Sequence, residues 1–214
     1  MLTADEIARL LEPYVGSTRA GTKADLAGSE RVDWPGVHGQ LVAYLQLILK
    51  WNSRMNLTAI REPEEIVRRH FGESLFAGGH LGACVTLLDF GSGAGLPGVP
   101  IQIMRPDVQV TLAESQGKKA AFLSEVVRAL GLRSEVWPRR VEAMPPERQF
   151  DAVAMRAVDS TIAAVAEGSV RARSRLLILG TPASANLGLG KGFQTIKTVG
   201  LPESKDRVLV IAQR

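Results

Sequence analysis

The chain has 214 residues and a formal net charge of +4, and 45% of its residues are hydrophobic. This length suits one α/β domain with a modest extension, and the composition is ordinary for a soluble globular protein. The single cysteine, Cys84, excludes an intramolecular disulfide, and the three histidines lack a metal-ligand spacing, so we expect no metal site. With no apolar run of membrane-spanning length and no secretory leader, we expect a cytoplasmic protein that does not bind membranes.

The N-terminal part of the chain is predicted to be helical. Apolar residues at helical spacing predict one helix over residues 2–14 and another over 41–49, which ends near Trp51. The polar, glycine-rich stretch 16–36 between them predicts a loop with no identifiable chemistry. Acidic residues at the start of segment 62–75 predict a third helix.

A glycine-rich turn is the most informative stretch of the sequence. An apolar-rich segment from Thr86 leads into Asp89, and a short helical run follows the turn. The glycines of the turn are Gly91, Gly93, Gly95 and Gly98. This order predicts a buried strand, a tight turn and a helix N-terminus, where bare backbone can approach a nucleotide-like ligand. The dinucleotide fingerprint needs glycine where this chain has Leu96, and the spacing instead resembles the first motif of class I S-adenosylmethionine-dependent methyltransferases.

A second strand–helix unit contains an acidic residue whose distance from the glycine turn in the sequence is informative. Residues 109–114 predict a short strand that ends in Glu114, and Glu114 follows Gly91 by 23 residues. This is close to the spacing at which an acidic side chain accepts hydrogen bonds from ribose hydroxyls. A solvated glutamate at a strand end is the alternative. Together with the glycine turn, the ribose role is the better interpretation.

The remainder of the chain continues the alternation of strands and helices. The sequence predicts helices over 99–104, 117–130 and 159–172, strands over 134–138, 150–157 and 175–180, and extended segments over 193–200 and 207–212. Such alternation indicates an α/β fold with a mostly parallel, Rossmann-like sheet, closed by a C-terminal antiparallel hairpin. We therefore expect a helical extension at residues 1–80 packed on a methyltransferase-like domain at residues 81–214.

Several motifs in order resemble one family closely. The motifs are Trp51-Asn-x-x-Met-Asn-Leu-Thr, Arg69-His70-x-x-x-Ser74-Leu75, Asp89-x-Gly-Ser-Gly-Ala-Gly-Leu-Pro-Gly98, Leu112-x-Glu114-Ser115-x-x-Lys118-Lys119, Arg140-Val-Glu142 and Phe150-Asp-x-Val-x-x-Arg156. In order and spacing they resemble the bacterial small-subunit rRNA guanine-N7 methyltransferases, also called glucose-inhibited division protein B. The resemblance covers roughly residues 41–179.

The resemblance implies roles for particular residues. It implies that S-adenosylmethionine is bound by Asp89, Gly91, Ser92, Gly93, Gly95, Leu96, Glu114, Val141, Glu142 and Arg156. Within this set, Glu114 is expected on the ribose and Val141 and Glu142 beside the adenine, while Arg156 is expected between cofactor and substrate. The candidates for holding RNA or shaping the pocket are Asn56, Arg69, His70, Lys118 and Lys119.

The resemblance also implies a reaction and a partner. The family transfers a methyl group to N7 of a guanine in the decoding-region loop of 16S rRNA, so the expected partner is 16S rRNA or the small ribosomal subunit. Guanine N7 carries an in-plane lone pair and no proton, so its methylation requires no general base. We therefore assign Arg156 to orientation rather than to proton transfer.

The chain departs from the family pattern at four places. Arg139 replaces a glycine, Met155 replaces a serine or threonine, Glu73 replaces an aspartate, and Gly180-Thr181 replaces Lys-Gly. The last change keeps open a non-catalytic RNA-binding or assembly protein on the same fold. A class I methyltransferase acting on a protein or a small molecule is the other alternative.

Overall fold

The computed structural model describes residues 1–20, 32–156, 162–186 and 188–214, and a seven-stranded sheet lies at its centre. The strands are β1 (Thr86–Phe90), β2 (Gln109–Ala113), β3 (Glu135–Trp137), β4 (Phe150–Arg156), β5 (Ala172–Gly180), β6 (Gln194–Gly200) and β7 (Val208–Gln213). Their order is β3-β2-β1-β4-β5-β7-β6. Strands β1 to β5 pair in parallel, whereas β7 is antiparallel to both β5 and β6. The predicted sheet with its C-terminal antiparallel hairpin is confirmed.

Helices precede the sheet and connect its parallel strands. They are α1 (Ala4–Ala20), α2 (Trp34–Asn52), α3 (Pro63–Glu65), a π-helical segment (Ile66–Gly72), α4 (Glu73–Gly79), α5 (Gly98–Met104), α6 (Gly117–Ala129) and α7 (Ile162–Arg171). Short 3-10 turns lie at Val141–Ala143 and Pro182–Asn186. The predicted helix over 159–172 is confirmed from Ile162 to Arg171, and its first three positions lie outside the described residues. None of the helices in the described ranges combines the length and apolar character that a bilayer crossing requires.

The loop predicted over residues 16–36 is wrong at both of its ends. Helix α1 continues to Ala20, and α2 already begins at Trp34, while residues 21–31 lie outside the described part of the chain. Asp33 caps α2 by accepting a hydrogen bond from the Gly36 backbone N–H (3.3 Å). Pro35 occupies the first turn, where a helix needs no N–H donor. At residues 33–36 the polar and proline-containing sequence is therefore the start of a helix.

Both faces of the sheet are covered by apolar residues. Successive side chains of a strand point to opposite faces, and neighbouring Leu87 and Leu88 of β1 are both fully buried in separate hydrophobic clusters. The cluster around Leu87 includes Ile7 of α1 and Leu41 of α2. The N-terminal helices therefore share one hydrophobic core with the sheet, and the domain boundary near residue 80 stays a prediction.

The π-helical segment provides the surface on which α1 rests. Gly72 ends this segment, and a Cβ atom added there would lie 2.6 Å from Cδ2 of Tyr14, whose side chain is 2% exposed. Contacts this short require the ring to move. Glycine at position 72 is thus a packing requirement for the docking of α1.

We predict that Gly72→Ala lowers the free energy of unfolding by about 1–3 kcal/mol, because the new methyl group overpacks the contact with Tyr14. The matched control is Gly39→Ala in α2, where nothing lies within 4 Å of the added Cβ. There alanine should raise the free energy of unfolding by about 0.5–1 kcal/mol. Urea unfolding of both variants measures the two effects, and equal behaviour of the variants would contradict the proposed packing.

Candidate active site

The glycine turn follows β1 at the carboxyl edge of the sheet. Gly91, Gly93 and Gly95 have backbone φ angles of +72°, +56° and +88°, a region that strongly favours glycine. The turn is closed by Ser92, whose carbonyl accepts hydrogen bonds from the N–H groups of Gly95 (2.7 Å) and Leu96 (2.9 Å). Ser92 N–H in turn donates to the Ala113 carbonyl at the end of β2 (2.9 Å). The sequence pattern therefore produces the predicted tight turn, fixed to the neighbouring strand.

Asp89 binds the C-terminal end of this turn from the protein interior. Its side chain is fully buried, and Oδ2 accepts a hydrogen bond from the Gly98 backbone N–H (3.0 Å), while Oδ1 has no hydrogen-bond partner among the described residues. A Cβ atom at Gly98 would lie 2.6 Å from Asp89 Oδ2, so only glycine fits there. Burial raises the pKa of Asp89 to about 7. In this conformation Asp89 supports the turn, and its predicted contact with the cofactor stays a prediction.

Glu114 binds the same turn closer to its N-terminal end. Its Oε2 accepts a hydrogen bond from the Gly93 N–H (2.9 Å), and its Oε1 accepts one from the Gln116 N–H (2.7 Å). The side chain is 7% exposed at the end of β2. A carboxylate offers about four acceptor positions, so these two bonds leave capacity for hydroxyl donors. The predicted ribose acceptor therefore lies directly against the predicted cofactor turn.

The loop glycines differ in what surrounds them. A Cβ atom at Gly93 would meet only the Gly91 carbonyl oxygen, at 3.9 Å, so the backbone there borders open space. At Gly95 the same atom would lie 2.7 Å from Val99 Cγ2 and 2.9 Å from the Tyr44 hydroxyl. Gly95 is thus required by packing, whereas Gly93 presents bare backbone beside the Glu114 carboxylate. This arrangement fits a ligand that carries a ribose diol.

The 3-10 turn after β3 contains the two residues predicted beside the adenine. Val141 is 4% exposed and belongs to the hydrophobic cluster that includes Phe90 and Ala113, residues at the ends of β1 and β2. Glu142 is exposed. The turn therefore offers one apolar and one polar side chain near the same edge of the sheet. Their roles stay predictions.

Arg156, at the end of β4, is enclosed by the N-terminal helices. Its guanidinium donates to the backbone carbonyl of Arg69 (2.9 Å) and lies 3.1 Å from Glu73 Oε2. Arg207, just before β7, lies 3.1 Å from the same oxygen. Glu73 is 2% exposed, and burial raises its pKa although Arg156 and Arg207 oppose this. Burial also lowers the pKa of Arg156 to about 10, so the guanidinium remains charged at neutral pH.

His70 points into the protein and not toward solvent. Its Nε2 lies 2.6 Å from the Thr58 hydroxyl, and its Nδ1 is buried without a hydrogen-bond partner among the described residues. Burial, Arg156, Arg69 and Arg207 lower the pKa of His70 to about 2. The ring is therefore neutral at physiological pH. Of the two roles predicted for His70, this placement fits shaping the pocket better than holding a phosphate.

The other four RNA-binding candidates lie at the surface. Arg69 is exposed and pairs with Glu65 (3.4 Å), while exposed Asn56 accepts a hydrogen bond from Arg61 (3.5 Å). Lys118 is exposed and Lys119 half-buried, both in the first turn of α6. Arg69 thus belongs to the segment held by Arg156, whereas the two lysines follow the strand that carries Glu114.

Sequence reasoning missed residues that complete the site. The Tyr44 hydroxyl, buried on α2, donates to the Ala94 carbonyl inside the glycine turn. Tyr44 was predicted only as part of an apolar helix face, and its polar end was the available signal. Glu73 and Arg207 lie 134 residues apart in the chain, so no local pattern joins them.

We predict a pH-dependent stability difference between the wild-type chain and Asp89→Asn. Because the folded pKa of Asp89, about 7, exceeds its unfolded value, its contribution to stability is complete below about pH 4 and is lost as pH rises to about 7. Asparagine cannot ionise, so the unfolding free energy of the variant relative to wild type should rise by up to about 1.4 kcal/mol per pH unit across this window. Urea unfolding without ligand from pH 4.5 to 8 measures it, and parallel curves would refute the assignment.

Two solved structures that share this fold are methyltransferases. The ribosomal protein L11 methylase of Lactobacillus delbrueckii has a TM-score of 0.56 at 10% identity, covering 69% of this chain and 79% of that one. The magnesium protoporphyrin IX methyltransferase of Synechocystis, solved with bound S-adenosylmethionine, has a TM-score of 0.50 at 15% identity, covering 100% of this chain and 98% of that one. At these identities the likeness establishes the fold alone.

Relatives found by sequence similarity identify the family more specifically than the shared fold does. A protein of Pseudomonas aeruginosa named ribosomal RNA small subunit methyltransferase G is 43% identical over 158 residues, which cover 73% of this chain and 67% of the relative. The protein of the same name from Chromobacterium violaceum is 48% identical over 118 residues, covering 55% of this chain and 56% of the relative. The family model for rRNA small subunit methyltransferase G matches residues 37–180, from α2 through the end of β5. The chain belongs to this family, also called GidB.

Proposed function

We propose that this chain methylates N7 of a guanine in the decoding-region loop of 16S rRNA, in the cytoplasm. As a member of its family it is an S-adenosylmethionine-dependent methyltransferase of small-subunit rRNA. The observation that carries the proposal is the glycine turn held by Glu114, because the family match spans this turn and the turn leaves backbone open at Gly93. The position on the base is the part that goes beyond the family match.

The residues around the turn fit the expected cofactor. Glu114 would accept hydrogen bonds from the ribose hydroxyls, and the bare backbone at Gly93 would allow close approach. Val141 would offer apolar surface to the adenine, and Glu142 a polar group beside it. S-adenosylmethionine supplies an electrophilic methyl group on a sulfonium, so the protein needs to bring the acceptor into line with it.

The charge state of the neighbouring residues agrees with catalysis by positioning. Guanine N7 has no proton to lose, and His70 is neutral, with a pKa lowered to about 2 by burial and nearby arginines, so it would neither donate nor take a proton near pH 7. Arg156 is buried and bound to Glu73 and to backbone of the π-helical segment. We propose that Arg156 acts as a positioning residue, because it fixes this segment against the end of β4.

One departure from the family pattern, at Gly180-Thr181, bears on how the substrate would be held. Gly180 ends β5, and Gly180-Thr181 stands where the family usually has Lys-Gly; Gly180 is half-buried and Thr181 exposed. The loss of a lysine there removes a potential phosphate contact without affecting the turn or Glu114. Cofactor binding alone would therefore not separate an active rRNA methyltransferase from a non-catalytic RNA-binding protein on the same fold. Methyl transfer does separate them.

The deciding experiment is methyl transfer from labelled S-adenosylmethionine to small-subunit rRNA that lacks its own modifications, followed by mapping of the labelled nucleotide. We expect label at one guanine N7 in the decoding-region loop, either in naked rRNA or in the assembled subunit, and a rate that falls steeply with salt. Cofactor binding without label in either substrate would reject the catalytic proposal. Label on another atom or RNA would reject the assigned position.

We predict that Glu114→Gln weakens S-adenosylmethionine binding about tenfold or more, because hydrogen bonds to a charged acceptor contribute more than neutral ones. Titration calorimetry measures the affinity. The control Glu64→Gln removes an exposed carboxylate in α3 and should leave the affinity unchanged. Since Glu114 also holds the Gly93 and Gln116 N–H groups, the thermal stability of the ligand-free variant is measured alongside. Wild-type affinity in Glu114→Gln would contradict the ribose role.

A further inference from the structure

A groove between α2 and α6 lies outside the cofactor turn. It has a volume of about 400 Å³. Its lining residues come from the end of α2, the turn after it and α6, and they include Lys50, Trp51, Arg54, Met55, Lys118 and Glu125. Of these residues only Lys118 has a role assigned above, as an RNA-binding candidate.

The packing of the two helices places the groove beside the candidate active site. Gln40, early in α2, donates to the Leu130 carbonyl at the end of α6 (3.1 Å), whereas Trp51, late in α2, donates to Glu125 (3.0 Å). The helices therefore run in opposite directions, and α2 ends toward the start of α6. Helix α6 starts immediately after β2, at the edge of the sheet where the Glu114 carboxylate binds the glycine turn. The groove includes Lys118 in the first turn of α6, so it reaches the end of the helix that lies at this edge.

The walls of the groove combine a flat aromatic surface with apolar neighbours. Trp51 is half-buried, and its indole packs edge-on against Phe122 with ring centroids 5.6 Å apart. The hydrogen bond from its Nε1 to Glu125 fixes the ring further. Met55, also half-buried, and Ala121 add apolar surface. The Trp51 indole is thus fixed in orientation and partly exposed. Such a ring is suited to stacking against a nucleobase, since every base has a π-face.

The rim of the groove is basic. Lys50 pairs with Glu125 (3.4 Å), the single acidic residue of the lining, and that carboxylate also accepts from Trp51. Arg54 and Lys118 are exposed and form no ion pair with the described residues. Two uncompensated cations beside an apolar groove complement an unpaired nucleotide, whose base is flat and whose phosphates are negative.

We propose that this groove binds an unpaired nucleotide of the rRNA substrate, with its base against Trp51 and its flanking phosphates near Arg54 and Lys118. The inference rests on the proposed rRNA methyltransferase function and adds a substrate-binding site to it. A site of this kind would hold the RNA strand beside the reacting guanine without contacting the cofactor.

The proposed stacking of a base on Trp51 is tested with Trp51→Leu and Trp51→Phe in the full-length chain. Leucine removes stacking, so we expect rRNA binding to weaken about tenfold and KM for rRNA to rise accordingly, with unchanged affinity for S-adenosylmethionine. Phenylalanine retains a stacking ring and loses only the hydrogen bond to Glu125, so it should restore most of the rRNA affinity. Equal loss in both variants, or loss of cofactor affinity in Trp51→Leu, would indicate a structural role and overturn the proposal.

The proposed phosphate contact of Lys118 is tested with Lys118→Gln and the matched control Arg128→Gln. Both positions are exposed on α6, but Arg128 lies in the last turn, away from the groove. We expect Lys118→Gln to reduce the slope of log affinity against log salt by about 0.7–1, and Arg128→Gln to leave it unchanged. Equal slopes for wild type and both variants would contradict a phosphate contact at the groove.

The two proposals fail in different ways. Wild-type methylation of rRNA, with Trp51→Leu and Lys118→Gln both within twofold of wild type in KM and affinity, would overturn the groove assignment and leave the rRNA methyltransferase function intact. That result would assign the groove to another occupant, such as an acidic segment of a protein. RNA binding that depends on Trp51, without methyl transfer, would support the groove and reject the catalytic proposal. Absence of both RNA binding and transfer would reject both.

Discussion

The hydrogen bond from Gly98 N–H to the buried carboxylate of Asp89 fixes the course of the chain through the candidate active site. It joins the end of β1 to the start of α5, so the residues between them must form a compact turn. Glu114 then binds Gly93 from the neighbouring strand. Carboxylates from two adjacent strands thus hold the two ends of one glycine turn. Burial raises the pKa of Asp89 to about 7 because the interior disfavours the ionised carboxylate, so this support of the turn loses stability as pH rises.

A cluster of charges around the buried Glu73 carboxylate attaches the N-terminal helices to the same edge of the sheet. Arg156 at the end of β4 and Arg207 before β7 both contact Glu73 at the start of α4. A buried charge needs a partner, so each of these residues constrains the other two. Because Arg156 also binds the carbonyl of Arg69 in the π-helical segment, the position of that segment depends on the sheet. The N-terminal helices therefore form part of the candidate site.

The sequence predicted features that depend on neighbours in the chain. Strand–helix alternation, the positive-φ glycines and the acid at the end of β2 are local patterns, and the structure shows each of them. The loop predicted over 16–36 was wrong at its C-terminal end, because Trp34-Pro35-Gly36 after the capping Asp33 forms the start of a helix. The contacts of Tyr44 with Ala94 and of Glu73 with Arg207 could not be predicted, because each joins segments that only the folded chain brings together.

The sheet by itself does not determine what is methylated. Solved methyltransferases that share it at 10–15% identity include a ribosomal protein methylase and a porphyrin methyltransferase, so the same scaffold serves chemically unrelated substrates. Near the glycine turn of this chain, α2 supplies the Tyr44 hydroxyl to the turn and Trp51 to the groove. The family match begins at residue 37, close to the start of this helix. One helix therefore joins the candidate cofactor turn to the surface that we propose binds RNA. Under that proposal, selectivity for the substrate depends on α2 and not on the shared sheet.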